Sequence, residues 1–406
     1  MKLIQQFKII VCLAIVFTNI TASSQNIPVV SVPLIQQANY FFLTIKVNQK
    51  DSLNFVFDTG AEFTVLNESS ADGTIVGNTR KATVSGGTGN TSAKLYKKQT
   101  LQIGTLVLDN IKIITIPFDH FFLIQGIKVD GIIGQDLMDR FIIETNVDDG
   151  IFNLYDKNTF AYKGTEQPLP ILNVKGERSG AIAIEITLKN GKKVPGKFVL
   201  DTGSGSCFSL NVPFAADNEI VQSMPTVYTK LTYGASANTM LSKNGRFETI
   251  QIGRHTITNC TASIKDANKG TYLSKSRSGV VGNQILSCFN AVYDFINNKL
   301  YLPPAKKFND PFIAQANGMS IEYADTTAKN IIVKLVNENS PAGRAGIHEG
   351  DEILELNSVK ISEIGLQKLL VQLNIPNKQI ELLIKQKTGD IKKIMFVTKE
   401  DRKSVV

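Results

Sequence analysis

Along most of the chain, apolar and polar positions alternate in short runs of strand length, broken by Gly, Asn and Asp. Residues 40–47 (YFFLTIKV) read as a strand, a turn follows at 48–51, and the run Asn54-Phe55-Val56-Phe57 ends a second strand on Asp58. Residues 181–188 (AIAIEITL) repeat the pattern, with Asn190-Gly191 as the turn and a strand at 194–200 that ends on Asp201. Asn-Gly suits that turn because a tight hairpin loop needs positive φ at its centre. Each hairpin runs into the same triplet, Asp58-Thr59-Gly60 in one half and Asp201-Thr202-Gly203 in the other.

The correspondence continues downstream. Gly86-Gly87-Thr88-Gly89 starts 28 residues after Asp58, and Gly234-Ala235-Ser236-Ala237 starts 33 after Asp201, each at the tip of a predicted hairpin. Leu101-Gln102-Ile103-Gly104 matches Ile250-Gln251-Ile252-Gly253. Asp130-Gly131-Ile132-Ile133-Gly134 matches Ser278-Gly279-Val280-Val281-Gly282, each before a short helical stretch and a hairpin, at 152–155 and 299–302. Asp58 and Asp201 are 143 residues apart, Gly134 and Gly282 148. Near-constant offsets over several features mean a duplicated β domain. Pro168 and Pro170 mark 163–175 as the connector between the copies.

After Pro303-Pro304 the pattern changes, and residues 306–406 form a third unit. Ser340-Pro341-Ala342-Gly343-Arg344-Ala345-Gly346-Ile347 leads into Glu349-Gly350-Asp351 and a strand. A helix is predicted at 362–373, capped by Ser362, with Ile364, Leu366, Leu369, Leu370 and Leu373 on its apolar side. A strand pair at 379–385 and 392–398 closes the unit.

The 406 residues suffice for two to four domains with buried cores. The formal charge is +8, but the lysines are dispersed, which describes a generally basic surface and no nucleic-acid partner. Residues 1–24 have the form of a secretory signal: Lys2 and Lys8, an apolar stretch at 9–17, then Ala22-Ser23-Ser24. A bilayer-spanning helix needs about 20 apolar residues, more than this stretch holds. The expectation is an exported protein, periplasmic or secreted, without an integral membrane segment once the signal is removed. Three cysteines then remain, Cys207, Cys260 and Cys288. Cys260 and Cys288 are the favoured pair for any bridge; burial of all three as small apolar residues carries at least equal weight.

Two matched carboxylates at the ends of buried strands suit a dyad that shares one proton. The ionised member can take a proton from water while the protonated one donates to a carbonyl oxygen. That chemistry asks for no metal and no organic cofactor. The chain has only His120, His255 and His348, with neither a His-Glu-x-x-His zinc helix nor a Gly-x-Ser-x-Gly elbow.

The run Phe57-Asp58-Thr59-Gly60-Ala61-Glu62-Phe63-Thr64-Val65-Leu66 resembles the active-site segment of retropepsins, and Leu200-Asp201-Thr202-Gly203-Ser204-Gly205-Ser206 that of pepsins. Ile132-Ile133-Gly134 and Val280-Val281-Gly282 match the apolar-apolar-Gly element those aspartic proteases place beneath the catalytic loops. The resemblance covers roughly residues 30–303 and implies a mainly β fold, with two pseudo-symmetric aspartic-protease lobes at 25–165 and 166–305. It implies that Asp58 and Asp201 are catalytic. Thr59 and Thr202 would brace the two loops, and Gly60 and Gly203 would donate N–H groups. The Ser204 hydroxyl would bond Asp201 in its charged form, and the optimum would be mildly acidic to neutral. Gly86, Gly87, Gly234 and Ala235 would lie at flap tips over an extended substrate, without a counterpart of the pepsin flap tyrosine. Glu62 would touch substrate at an outer subsite or lie solvated.

The third unit, on its 340–357 run, is similar to PDZ domains fused to bacterial proteases. Gly318, Met319, Ser320 and Ile321 would form the loop that holds a peptide's terminal carboxylate. The implied partners are a peptide or protein substrate and a C-terminal peptide ligand of the PDZ domain. One chain carrying both aspartates implies a monomer with an intramolecular site. The competing reading is a non-catalytic peptide-binding protein on a degenerate protease scaffold.

Overall fold

The computed structural model describes residues 26–87, 89–224, 228–234, 239–312 and 317–399. The signal-like segment 1–24 and the hairpin-tip residue Ala235 lie outside the described residues. The fold is mainly β.

In the first lobe the hairpin Tyr40–Val47 and Lys50–Phe57 pairs antiparallel, placing Phe42 opposite Val56. Phe55, Val56 and Phe57 are buried on both sides of the sheet. A strand with two covered faces can pair parallel, and this one does so with Gly131–Ile133. Thr64–Asn67 then lies antiparallel to Gly131–Ile133 and parallel to Leu106–Ile116. The second lobe repeats each pairing: Gly180–Thr187 with Lys193–Asp201, the latter parallel to Gly279–Gly282. Phe208–Leu210 takes the inserted place, antiparallel to Gly279–Gly282 and parallel to Thr261–Lys265.

A six-stranded sheet joins the lobes, with Phe141–Asn146 of the first pairing Ala291–Asp294 of the second. Phe57 packs edge-on against Phe152 (centroids 5.0 Å apart) and Tyr293 (6.2 Å), so one apolar core runs under both triplets. The connector is built into this frame. Leu169–Pro170 pairs Lys299–Tyr301, Leu172–Asn173 pairs Gly180–Thr187, and Glu166, almost fully buried, bonds Arg254 and His255. Cys207, Cys260 and Cys288 are free, buried thiols, so no Cys260–Cys288 bridge forms and core packing accounts for all three.

The third unit is a separate sheet, ordered Met319–Tyr323, Ile331–Val336, Glu352–Leu356, Gln379–Lys385, Ile391–Val397, with its own core under helix Ile361–Leu373. Ser362 does not cap that helix. Gly365 (φ 72°, ψ 163°) breaks it one turn in, and the Tyr323 hydroxyl accepts the Leu366 N–H at 3.0 Å where the helix restarts. The domain rests on the first lobe, whose short helix His120–Gln125 stacks Phe122 on Tyr323 with centroids 5.5 Å apart. Among the described residues no helix is long and apolar enough to cross a membrane.

Candidate active site

Each triplet turns sharply at the end of its strand, with Ala61 N–H bonded to Asp58 O (3.2 Å) and Ser204 N–H to Asp201 O (3.1 Å). The turns sit back to back across the lobe seam and are tied by reciprocal bonds. Thr59 N–H donates to Thr202 Oγ1 (3.0 Å) and Thr202 N–H to Thr59 Oγ1 (3.0 Å). The Thr59 hydroxyl donates to Leu200 O (2.8 Å), and the Thr202 hydroxyl to Phe57 O (2.7 Å). Both threonines are fully buried, so all four bonds form out of competition with water. Beneath the turns, a side chain at Gly134 would stand 2.5 Å from Ala61 O, and one at Gly282 2.7 Å from Ser204 O. Only glycine allows these approaches.

The brace brings the two carboxyl groups together. Asp58 and Asp201 are hydrogen-bonded to each other, and Gly60 N–H donates to Asp58 Oδ1 at 2.7 Å. A Cβ on Gly203 would overlap the Asp58 carboxyl, at 2.6 Å from Oδ1. Removal from water raises both aspartates above the ordinary carboxylate range. Asp58 is held back by N–H groups of Gly60, Gly203 and Ala61 and by its bond to Asp201. Asp201 is driven well up, first by burial, then by the negative charge of Asp58, with Arg277 opposing. Burial thus favours a single proton held between the two carboxyls. The Ser204 hydroxyl takes no part: its partner is Ser206 Oγ at 2.8 Å, because the loop turns it along the chain and away from the carboxyl.

Gly86 and Gly87 lie at the tip of the hairpin Thr79–Gly86 and Gly89–Ile103, which reaches across to the second lobe. A Cβ on Gly87 would meet the Tyr272 ring at 2.5 Å, and one on Gly270 would meet Gly86 O at 2.9 Å. Gly234, at the end of strand Tyr228–Tyr233, reaches the other way, its carbonyl 2.8 Å from His120 Nε2. Glu62 Oε1 accepts from Arg178 N–H (3.1 Å), so it contacts the second lobe and is not simply solvated.

Several cleft residues were not singled out from the sequence. Tyr40 and Tyr272 line the floor beside the dyad, both pushed up to about 12 by burial first and by the Asp201 charge next. Arg277, bonded to Glu177 at 2.8 Å and nearly buried, sits where the first copy of the repeat has Val129. A charge replacing an apolar residue in an otherwise matched repeat was the available signal. No group of three or more metal-ligating side chains occurs among the described residues.

The cleft encloses about 1610 Å³ and runs from the dyad to the third domain, where Met319, Ser320, Ile321 and Leu373 also line it. The Gly318 loop is tied from within: Gly318 O accepts from Asn337 N–H (2.9 Å), and Met319 N–H donates to Asn317 Oδ1 (2.7 Å). Ile321 points into the domain core.

Residues 43–137, which include Asp58-Thr59-Gly60 and Ile132-Ile133-Gly134, match the aspartyl protease family model, and residues 313–385 match the PDZ domain. The chain is also similar to serine endoprotease DegS of Haemophilus influenzae, 26% identical over 159 residues, 37% of this chain and 46% of the relative. The chain thus spans about half the length of that curated relative. The first lobe thus carries a segment that matches aspartyl proteases, and the C-terminal unit matches the PDZ domain.

Proposed function

We propose that the protein is an aspartic endopeptidase that cleaves extended peptides at Asp58 and Asp201, both supplied by one chain. The observation that carries this reading is the hydrogen bond between the two carboxyls, held by the reciprocal threonine bonds across the seam. Asp58, the better-stabilised anion, takes a proton from the attacking water as its oxygen bonds to the scissile carbonyl carbon. Asp201 gives its proton to the carbonyl oxygen, and a gem-diol results. Proton transfer to the amide nitrogen and cleavage of the C–N bond then release two peptides and restore the dyad. Because burial raises both carboxyls, the form with Asp58 charged and Asp201 protonated persists to less acidic pH than for ordinary carboxyls. This supports an optimum between mildly acidic and neutral.

Likeness to a serine endoprotease raises a serine mechanism as the second reading. Against it, the ring of His120 bonds a backbone carbonyl and that of His255 the Glu166 carboxylate, and among the described residues neither bonds a serine. The PDZ domain would hold peptide C-termini beside the catalytic cleft, with Asn317 giving up Met319 N–H to the ligand carboxylate. The leader-like residues 1–24 support export.

The test is cleavage of an unfolded protein by the purified chain and by Asp58→Asn and Asp201→Asn variants, with and without a serine-directed phosphonate. The reading requires cleavage by wild type, loss in both variants and indifference to the phosphonate. Activity surviving either substitution, or abolished by the phosphonate, overturns it.

A further inference from the structure

The two cleft walls are built from equivalent strands, and their registers allow residue-by-residue comparison. Val56 and Val199, each two residues before its aspartate, pair with Ile132 and Val280. Those residues lie opposite Val65 and Ser209, which in turn lie opposite Ile114 and Ser263. Two residues further along the outer strands come Ile116 and Lys265. All ten line the cleft. The wall that is Val65, Ile114 and Ile116 in the first lobe is therefore Ser209, Ser263 and Lys265 in the second.

Lys265 is only 6% exposed. Its Nζ donates to Ser263 Oγ (2.8 Å) and Thr232 Oγ1 (3.3 Å) and stands 5.9 Å from the centre of the Tyr272 ring. An ammonium has three N–H donors, and two are engaged here. No carboxylate among the described residues offsets its charge, and the neighbouring group is a second cation, Lys230, on strand Tyr228–Tyr233. Burial first and Lys230 second pull Lys265 down to about 7. A buried cation without a counter-ion is costly, and an anion entering the cleft would relieve it.

We propose that Lys265, with Lys230, Ser263 and Thr232, forms an anion subsite that takes an Asp or Glu side chain of the substrate. Its peptide partners then carry an acidic residue on the second-lobe side of the scissile bond and an apolar one against Val65, Ile114 and Ile116. This rests on the endopeptidase reading for the position of the scissile bond, but binding at Lys265 does not depend on turnover.

The experiment titrates the Asp58→Asn protein with C-terminally amidated peptides that alternate apolar residues with Glu, and with their Gln counterparts. A charge-assisted bond in place of a neutral one should make the Glu peptides bind about 10- to 100-fold more tightly. Lys265→Met should abolish the difference, and Lys265→Arg should keep most of it. Equal binding of Glu and Gln peptides, or a preference that survives Lys265→Met, overturns the subsite. Gln peptides whose free C-terminal carboxylate alone confers Lys265-dependent tightening would reassign the site to a chain terminus and overturn the side-chain assignment. Wild-type turnover is read in parallel. Glu preference in binding without any cleavage would sink the endopeptidase reading and leave the subsite standing, and cleavage without the preference would do the reverse.

Discussion

His120 Nε2 lies 2.8 Å from the carbonyl oxygen of Gly234, so a helix of the first lobe holds the hairpin tip of the second. The other tip is held in mirror fashion, with Gly86 and Gly87 seated on Gly270 and Tyr272. The His120 Nδ1 atom is buried without a partner among the described residues, which suits a neutral ring donating through Nε2.

His120→Ala should therefore loosen the second hairpin without touching the dyad. Loss of a bond worth about 0.5–1.5 kcal/mol corresponds to about 2- to 12-fold lower protection of the 228–233 amides in hydrogen exchange. Burial lowers the His120 pKa in the closed state. The open state then binds protons more readily, so the latch is complete above about 6.5, the ordinary histidine value, and weakens as pH falls through that value. Protection corrected for intrinsic exchange should decline with acid in wild type and stay flat in His120→Ala. Equal pH dependence in the two proteins would contradict the latch.

Asp201→Asn should abolish activity yet raise thermal stability at alkaline pH. Because burial and the Asp58 charge raise Asp201, the folded state keeps a proton that the unfolded chain releases. Stability is then lost as pH rises from about 3.9, the ordinary aspartate value, towards the raised one. Asparagine cannot ionise and escapes that loss. The Tm difference between variant and wild type should be near zero at pH 3.5 and positive at pH 8, each kcal/mol relieved being worth about 2–4 °C. A variant less stable than wild type at pH 8 would count against the assigned proton.

Thr59→Val removes one hydroxyl and leaves two buried groups, Thr202 N–H and Leu200 O, without their partner. Each such group costs about 1–3 kcal/mol, and a shift of the loop by about 1 Å can cost 100-fold in rate. Thr59→Ser retains the hydroxyl and should lose far less of both. Denaturant unfolding and kcat/KM measured on the pair check this. Indistinguishable Val and Ser variants would mean that the brace is not what aligns the carboxyls.

The sequence made the duplicated frame legible because its signals are local. A strand must end on each Asp-Thr-Gly, and glycine must underlie each turn where carbonyls crowd Gly134 and Gly282. Most predicted strands fall within a residue or two of the observed ones, Tyr40–Val47 and Gln379–Lys385 among them. What escaped depends on contacts distant along the chain. The Lys265 pocket needs the register of three strands, and the His120–Gly234 bond spans 114 positions. The connector also misled: Pro168 and Pro170 read as a linker, yet a proline on an edge strand need not donate, and Leu169–Pro170 forms the sheet edge. Ser204 and Ser362 failed for a similar reason, since a hydroxyl in the right place in sequence can still turn towards another partner.

The PDZ domain touches both lobes, and this makes its coupling to the protease testable. Phe122 of the first lobe stacks on Tyr323, which in turn accepts Leu366 N–H where the domain's helix restarts. From the second lobe, the Tyr233 hydroxyl donates to Glu322, and Thr229 and Asn337 exchange two bonds, at 3.0 and 2.9 Å. Tyr233 immediately precedes Gly234, so this hairpin of the second lobe is anchored at one end on strand Met319–Tyr323 of the PDZ domain. Wild type should unfold in a single calorimetric transition. In a Phe122→Ala, Asn337→Ala double variant, loss of one aromatic pair worth about 0.5–1.5 kcal/mol and two hydrogen bonds of about 0.5–1.5 kcal/mol each should separate the PDZ transition from that of the lobes. Protection of the 228–233 amides should fall in the same variant while the dyad braces stay protected. Two transitions already present in wild type would mean that the domain is a passenger and the hairpin is held by His120 alone.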